Sequence, residues 1–258
     1  MIQVPENLRG DFTLWMLGLA DDKLVLGHRI ADWTGLAPIL EEDIAFSSIS
    51  QDELAHALIL YEQIGMLTGR SADAVAYARP MEEYRCARIV ELEDDLQWDV
   101  AIVRQFFCDH AHLGILKGLG GSSDAELAAL ASRLAAEERI HVEHADHWMT
   151  LLGQAGGEAS RRTQGALARL APEACMLFEP TPGAQRVIAS GLVGEQGGVF
   201  DLWREEILQV CHAAGFSLRL DTPSPSARGG RNGRHSPVFD ALIDELTEVY
   251  RLEPEASW

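Results

Sequence analysis

Two E-x-x-H pairs constrain this chain more than any other feature. Glu53 and His56 lie near the middle of the stretch 38–69, and Glu138 and His141 near the middle of 122–152. Both stretches have the apolar spacing of long helices, and residues three apart on a helix share a face, so each pair can reach one point in space. One such pair is expected by chance in a chain of this length. Here each pair also has an acid before it at nearly the same interval: Asp22 precedes Glu53 by 31 residues, and Asp109 precedes Glu138 by 29. Each half therefore reads as a helical hairpin that brings an acid and an E-x-x-H to one level.

The helices can be placed from their punctuation. Residues 12–34 form the first and end at Gly35, and a short turn through Leu36 and Ala37 makes the next helix its antiparallel neighbour. Pro38 opens that helix and Gly69 closes it. Residues 70–96 are mixed, with a short helix around EEYRCARIVE. A third long helix spans 97–117, before Gly118, Gly120 and Gly121. Ser122 or Ser123 caps the fourth, which runs to about 152 and stops at Gly153. Amphipathic stretches follow at 158–178 and 197–214, then a loop at 221–237 rich in Pro, Ser, Gly and Arg, and a last helix at 238–251. No stretch has the period of two expected of a strand. The expectation is an all-α chain, one domain over 1–258, with a four-helix core at 12–153 and a helical extension at 158–251.

Composition narrows the partners. The net charge of −19 argues against nucleic acid and anionic membranes. No apolar run approaches the length of a membrane span, and the N-terminus lacks the pattern of a secretory signal. The four cysteines are scattered without a C-x-x-C, which fits free thiols in a reduced cytoplasm. One segment opposes the general charge: residues 227–235 are basic, glycine-rich and free of acids.

At the level of the E-x-x-H pairs, helix one offers Asp21 and Asp22, and helix three offers Asp109 flanked by His110 and His112. Glu42 is excluded, since eleven residues separate it from Glu53, about 16 Å along the axis. Taken singly, Asp21, Asp22, Asp109 and Glu138 read more simply as solvated helix residues, and His28, His144 and His147 as packing or surface. The joint register of six residues points instead to a metal site. Carboxylates gathered in an apolar bundle need compensating cations or protons. An E-x-x-H from each of two helices and a carboxylate from each of the other two is the ligand set of ferritin-like di-iron bundles. Carboxylate and imidazole suit iron or manganese, with coordination positions left for dioxygen. The expected ligands are Asp22, Glu53, His56, Asp109, Glu138 and His141. Nothing marks a nucleophile elbow, a P-loop, a flavin or NAD fold, or an iron–sulfur centre, so electrons would come from another protein.

The stretches GLADDKLVLGHRIADWTGLAPILEEDIAFSSISQDELAHALILYE, WDVAIVRQFFCDHAH and AAEERIHVEHADHW, and the tail GGRNGRHSPVFDALIDELTEVYR, resemble the family of the C subunit of the ring-1,2-phenylacetyl-CoA epoxidase of phenylacetate catabolism. The resemblance covers most of the chain, least clearly 180–220. It implies a ferritin-like fold and pairing with a homologous catalytic oxygenase subunit. It also implies an aromatic acyl-CoA substrate, and a separate reductase delivering electrons from NADPH. In well-known members the C subunit is a non-catalytic partner that has lost the metal ligands. Here QDELAH and EERIH are instead similar to the catalytic subunit, where these positions bind iron, although helix one offers Asp where Glu is usual. Two functional readings follow: a component of a multicomponent monooxygenase that is like the C subunit but retains its own di-iron site, or a self-sufficient di-iron oxygenase acting on another substrate. A third, an iron-handling bundle with no substrate, is weaker. In the tail, Arg228, Arg231, Arg234 and His235 are candidates to dock a CoA phosphate or an acidic partner, against the plainer reading of a solvated loop.

Overall fold

The structure is a computed structural model that describes residues 2–93, 95–222 and 228–254. Among the described residues there are ten α-helices, four 3-10 turns and no strand. Four long helices form two antiparallel hairpins: α1 (Arg9–Ala31) with α2 (Leu40–Thr68), and, after the short α3 (Ala72–Tyr77) and α4 (Arg88–Glu91), α5 (Trp98–Leu119) with α6 (Ala125–Ala155). They are followed by α7 (Gly157–Cys175), α8 (Ala184–Ala189), α9 (Val199–Ala213) and α10 (Phe239–Leu252).

The helix ends show local chemistry at work. Helix α2 stops at Gly69, whose φ of +73° is left-handed and whose N–H donates back to the Gly65 carbonyl. The cap of α6 lies one residue beyond Ser122 and Ser123, the expected caps. Asp124 caps it instead, accepting from Leu127 N at 2.9 Å, while the Ser122 hydroxyl donates to the Leu192 carbonyl. Nor does α6 stop at Gly153. It continues to Ala155, and the missing side chain at 153 lets the carbonyl of Ala214 approach to where a Cβ would clash at 2.0 Å.

Helices α1 and α5 form the inner layer. Residues Met16 to Gly27 and Asp99 to Leu113 are buried without interruption. An uninterrupted buried run has no polar face of its own, so its covering must come from elsewhere. Amphipathic α7 and α9 pack on α5, and α8 packs on α1. Trp203 on α9 donates its indole N–H to the Phe107 carbonyl on α5.

The apolar core is split in two. One cluster holds Val25, Ile30, Phe46, Ile49, Phe106 and Met149. The other holds Phe12, Met16, Leu60, Leu116, Leu127 and Leu134. Asp21 to Lys23, Glu53, His56, Asp109, His112, Glu138 and His141, all buried, lie on the four long helices between the two clusters. A buried polar layer across a bundle is costly unless its charges are matched inside the protein, so its pairing decides what the molecule can do.

Candidate metal centre

Four of the six expected residues converge. Ligand atoms from Glu53 on α2, Asp109 on α5, and Glu138 and His141 on α6 lie within 4.8 Å of one another. His56 stands at the edge, with Nδ1 3.8 Å from Glu138 Oε2. Its Nε2–H donates outward to Glu137 at 2.6 Å, leaving Nδ1 as the atom that faces the cluster. His141 is placed the same way: Nε2 points outward to Asp52 at 3.3 Å, and Nδ1 points inward to Glu53 at 3.2 Å. The two E-x-x-H motifs thus present matched imidazoles from adjoining helices, as their spacing predicts.

Asp22 does not join them. It binds the Arg231 guanidinium through two nitrogens at 2.6 and 2.9 Å, accepts the Ala87 N–H at 2.7 Å, and lies 3.3 Å from His112 Nε2. Burial alone would push this carboxyl up, but Arg231 and His112 hold it below the ordinary aspartate value. Asp21 is likewise committed, to Arg79, the Tyr61 hydroxyl and the Arg85 N–H.

The residue that α1 sends into the cluster is Lys23. Its Nζ donates to Glu53 Oε1 at 2.8 Å and also to Glu138 Oε2, with all three side chains buried. Burial would lower the ammonium's pKa, yet the two carboxylates outweigh it and keep the pKa above the ordinary lysine value. Burial likewise works against ionised Glu53, but the Lys23 charge and His141 hold that carboxyl well down. His141 is pushed up to about 10, because bonding to Glu53 and the charge of Glu138 outweigh its burial. Asp109 goes the opposite way: burial, then the charge of Glu138, raises it well above the aspartate range.

Sequence reasoning passes over Lys23 and chooses its neighbour. A signal is present, since a lysine inside the apolar run LADDKLVL needs a buried acid as partner. The tail is also placed differently from the expectation. Arg231 is buried and reaches Asp22 and the carbonyls of Gly18, Arg85 and Leu177. His235 bonds Glu91 Oε1 at 2.6 Å and stacks on Phe239. Only Arg228 and Arg234 of the four basic-tail side chains are exposed, so the segment buckles the C-terminal region to α1 rather than presenting four cations to a ligand.

Six resident ligands for two metals do not fit this arrangement. One expected carboxylate is tied to an arginine, and an ammonium sits on oxygens of Glu53 and Glu138 that two metal ions would need as ligands. The donor set is nevertheless not closed. Glu53 Oε2, Glu138 Oε1, both oxygens of Asp109, His56 Nδ1 and His112 Nδ1 are buried with no hydrogen-bond partner.

An all-α bundle of ferritin-like arrangement, with a carboxylate and histidine layer able to hold a metal ion, is the class that fold and site define. Residues 2–258 match the family described as phenylacetic acid catabolic protein, and the chain belongs to that family. It is 26% identical over 247 residues to the C subunit of the 1,2-phenylacetyl-CoA epoxidase of Escherichia coli (strain K12), covering 95% of this chain and 98% of that protein. No helix of the described residues is long and apolar enough to cross a membrane.

Proposed function

We propose that this chain is the C-type component of a multicomponent phenylacetyl-CoA ring epoxidase. In this reading the oxygen-activating di-iron centre resides in a homologous catalytic subunit, and a separate reductase supplies its electrons. The observation that carries the reading is the Lys23 ammonium held between Glu53 and Glu138, joined to the likeness to the epoxidase C subunit along nearly the whole chain. Two iron ions need that space and those oxygens. A self-sufficient oxygenase is disfavoured for the same reason.

The outer face of α2 supports pairing with another protein of the assembly. Leu40, Ile44, Leu54, Leu58 and Met66 are exposed along this one helix, and Ile140 is exposed on α6. Such a series, interspersed with exposed Ser48, Gln51 and Glu62 along a helix of 29 residues, is best covered by another long helix. A second copy is a poor occupant, because it would bring together two chains of net charge −19. A less acidic homologue fits better.

The test is co-expression with the catalytic homologue, followed by size-exclusion chromatography and an epoxidation assay with phenylacetyl-CoA and the reductase. We expect a stable complex, activity only when both homologues are present, and loss of the complex in Leu58→Glu with the helical circular dichroism retained. Epoxidation by this chain and reductase alone, or failure to bind the homologue, would overturn the proposal.

A further inference from the structure

We propose that the centre is a hybrid, in which Lys23 permanently replaces one of two cations and Glu53, Asp109, Glu138 and His141 bind a single divalent first-row metal ion in place of the other. The inference rests on the side chains themselves and is independent of how the chain assembles.

The oxygens divide in a way that points to this. Lys23 takes Oε1 of Glu53 and Oε2 of Glu138. The second oxygen of each carboxylate, Oε2 of Glu53 and Oε1 of Glu138, is buried and has no hydrogen-bond partner, with His112 Nδ1 3.8 Å from the latter. Two carboxylates shared between neighbouring cations use their oxygens in this manner, one for each charge. Asp109 has a relative exposure of 0% and neither of its oxygens has a partner, although its carboxyl reaches the same cluster. Buried carboxylate oxygens are rarely left unpaired, so each needs an ion, a proton or a water.

Charge and chemistry select the ion. In the ligating forms, with Asp109 ionised and His141 neutral, three carboxylates against one ammonium leave two negative charges, which one divalent cation neutralises and two would exceed. Oxygen donors with one imidazole suit ferrous iron or manganese, and no cysteine stands in the cluster to favour a thiophilic metal. The outward hydrogen bond from His141 Nε2 to Asp52 is the kind of support that orients a ligating imidazole.

The experiment is a titration of the chelator-treated full chain with Mn2+, followed by metal analysis and electron paramagnetic resonance, and repeated anaerobically with Fe2+. The expected result is one equivalent per chain with an isolated-ion Mn2+ spectrum, and a melting temperature that rises with occupancy. Asp109→Asn should weaken binding at least tenfold, and Lys23→Glu should take up a second, exchange-coupled ion. Because the spectrum and the melting shift are read on the unsubstituted chain, neither depends on a variant that folds. Absence of binding with no melting shift would mean that water or protons satisfy these oxygens, and would overturn the proposal. Two coupled ions in the unsubstituted chain would also overturn it, by showing that Lys23 yields its place. Co-elution with the catalytic homologue, measured on the same metal-free sample, reports on assembly separately.

Discussion

Replacing Lys23 with methionine keeps most of the side chain's volume and removes its charge. Glu53 and Glu138 would then face each other in a fully buried layer with no ammonium between them. Removing one partner of a buried ion pair costs about 3–5 kcal/mol. For a chain of this size that corresponds to a fall in melting temperature of roughly 6–20 °C. The sign with pH follows from Glu53, whose carboxyl lies well below its ordinary value because Lys23 outweighs the burial that would raise it. A depressed acid contributes stability above its unfolded pKa of about 4.3, and loses it as pH falls through the folded value. Without Lys23 only the neighbouring histidines oppose burial, the Glu53 carboxyl rises, and the deficit of the variant grows as pH rises. Thermal melts of both chains, after chelator treatment, from pH 5 to pH 8 measure this directly. A loss of less than about 2 °C at pH 8, or a deficit larger at pH 5 than at pH 8, would refute the reasoning that Lys23 is the counter-charge of the layer.

Three further outcomes follow from groups away from the cluster. Arg231→Ala leaves the buried Asp22 without its guanidinium partner, so a loss of about 3–5 kcal/mol in denaturant titrations is expected, with faster hydrogen exchange in 228–252; Arg231→Lys should not restore it, since lysine cannot make the two-nitrogen contact. His110 is pushed up to about 9 because its bonds to Asp146 and Glu206 outweigh its burial. A raised histidine stabilises the fold fully below its unfolded pKa of about 6.5 and loses that contribution as pH rises through the folded value. His110→Gln should therefore cost about 1–2 kcal/mol at pH 6, a figure discounted for its partly exposed partners, and much less at pH 10. Burial raises the thiols of Cys86 and Cys108 well above the ordinary range, Cys175 to about 11 and Cys211 to about 12. A thiol-reactive disulfide at pH 8 should label the folded chain far more slowly than the unfolded one, which will show all four cysteines reactive.

The sequence by itself determined the helices and their level of meeting. Apolar spacing and glycine punctuation placed the four long helices to within a few residues; α2 opened at Leu40 rather than Pro38, α5 ran through Gly118, and two further differences were the cap of α6 and its passage through Gly153. Those two depended on contacts with Leu192 and Ala214, far along the chain. The E-x-x-H pairs were legible because a helix fixes the direction of residues three apart without help from the rest of the protein. Asp21, Asp22 and Lys23 were not, although the level was right. Consecutive helix residues point about 100° apart, so which of the three enters the cluster depends on the rotation of α1 about its axis. That rotation is decided where Arg79, 58 residues from Asp21, and Arg231, 209 residues from Asp22, draw the two acids aside. With both acids drawn away, α1 turns an ammonium, not a carboxylate, between Glu53 and Glu138. Helical period is a local property written in the sequence, whereas the pairing of buried charges is long-range and exists only once the chain has closed around them.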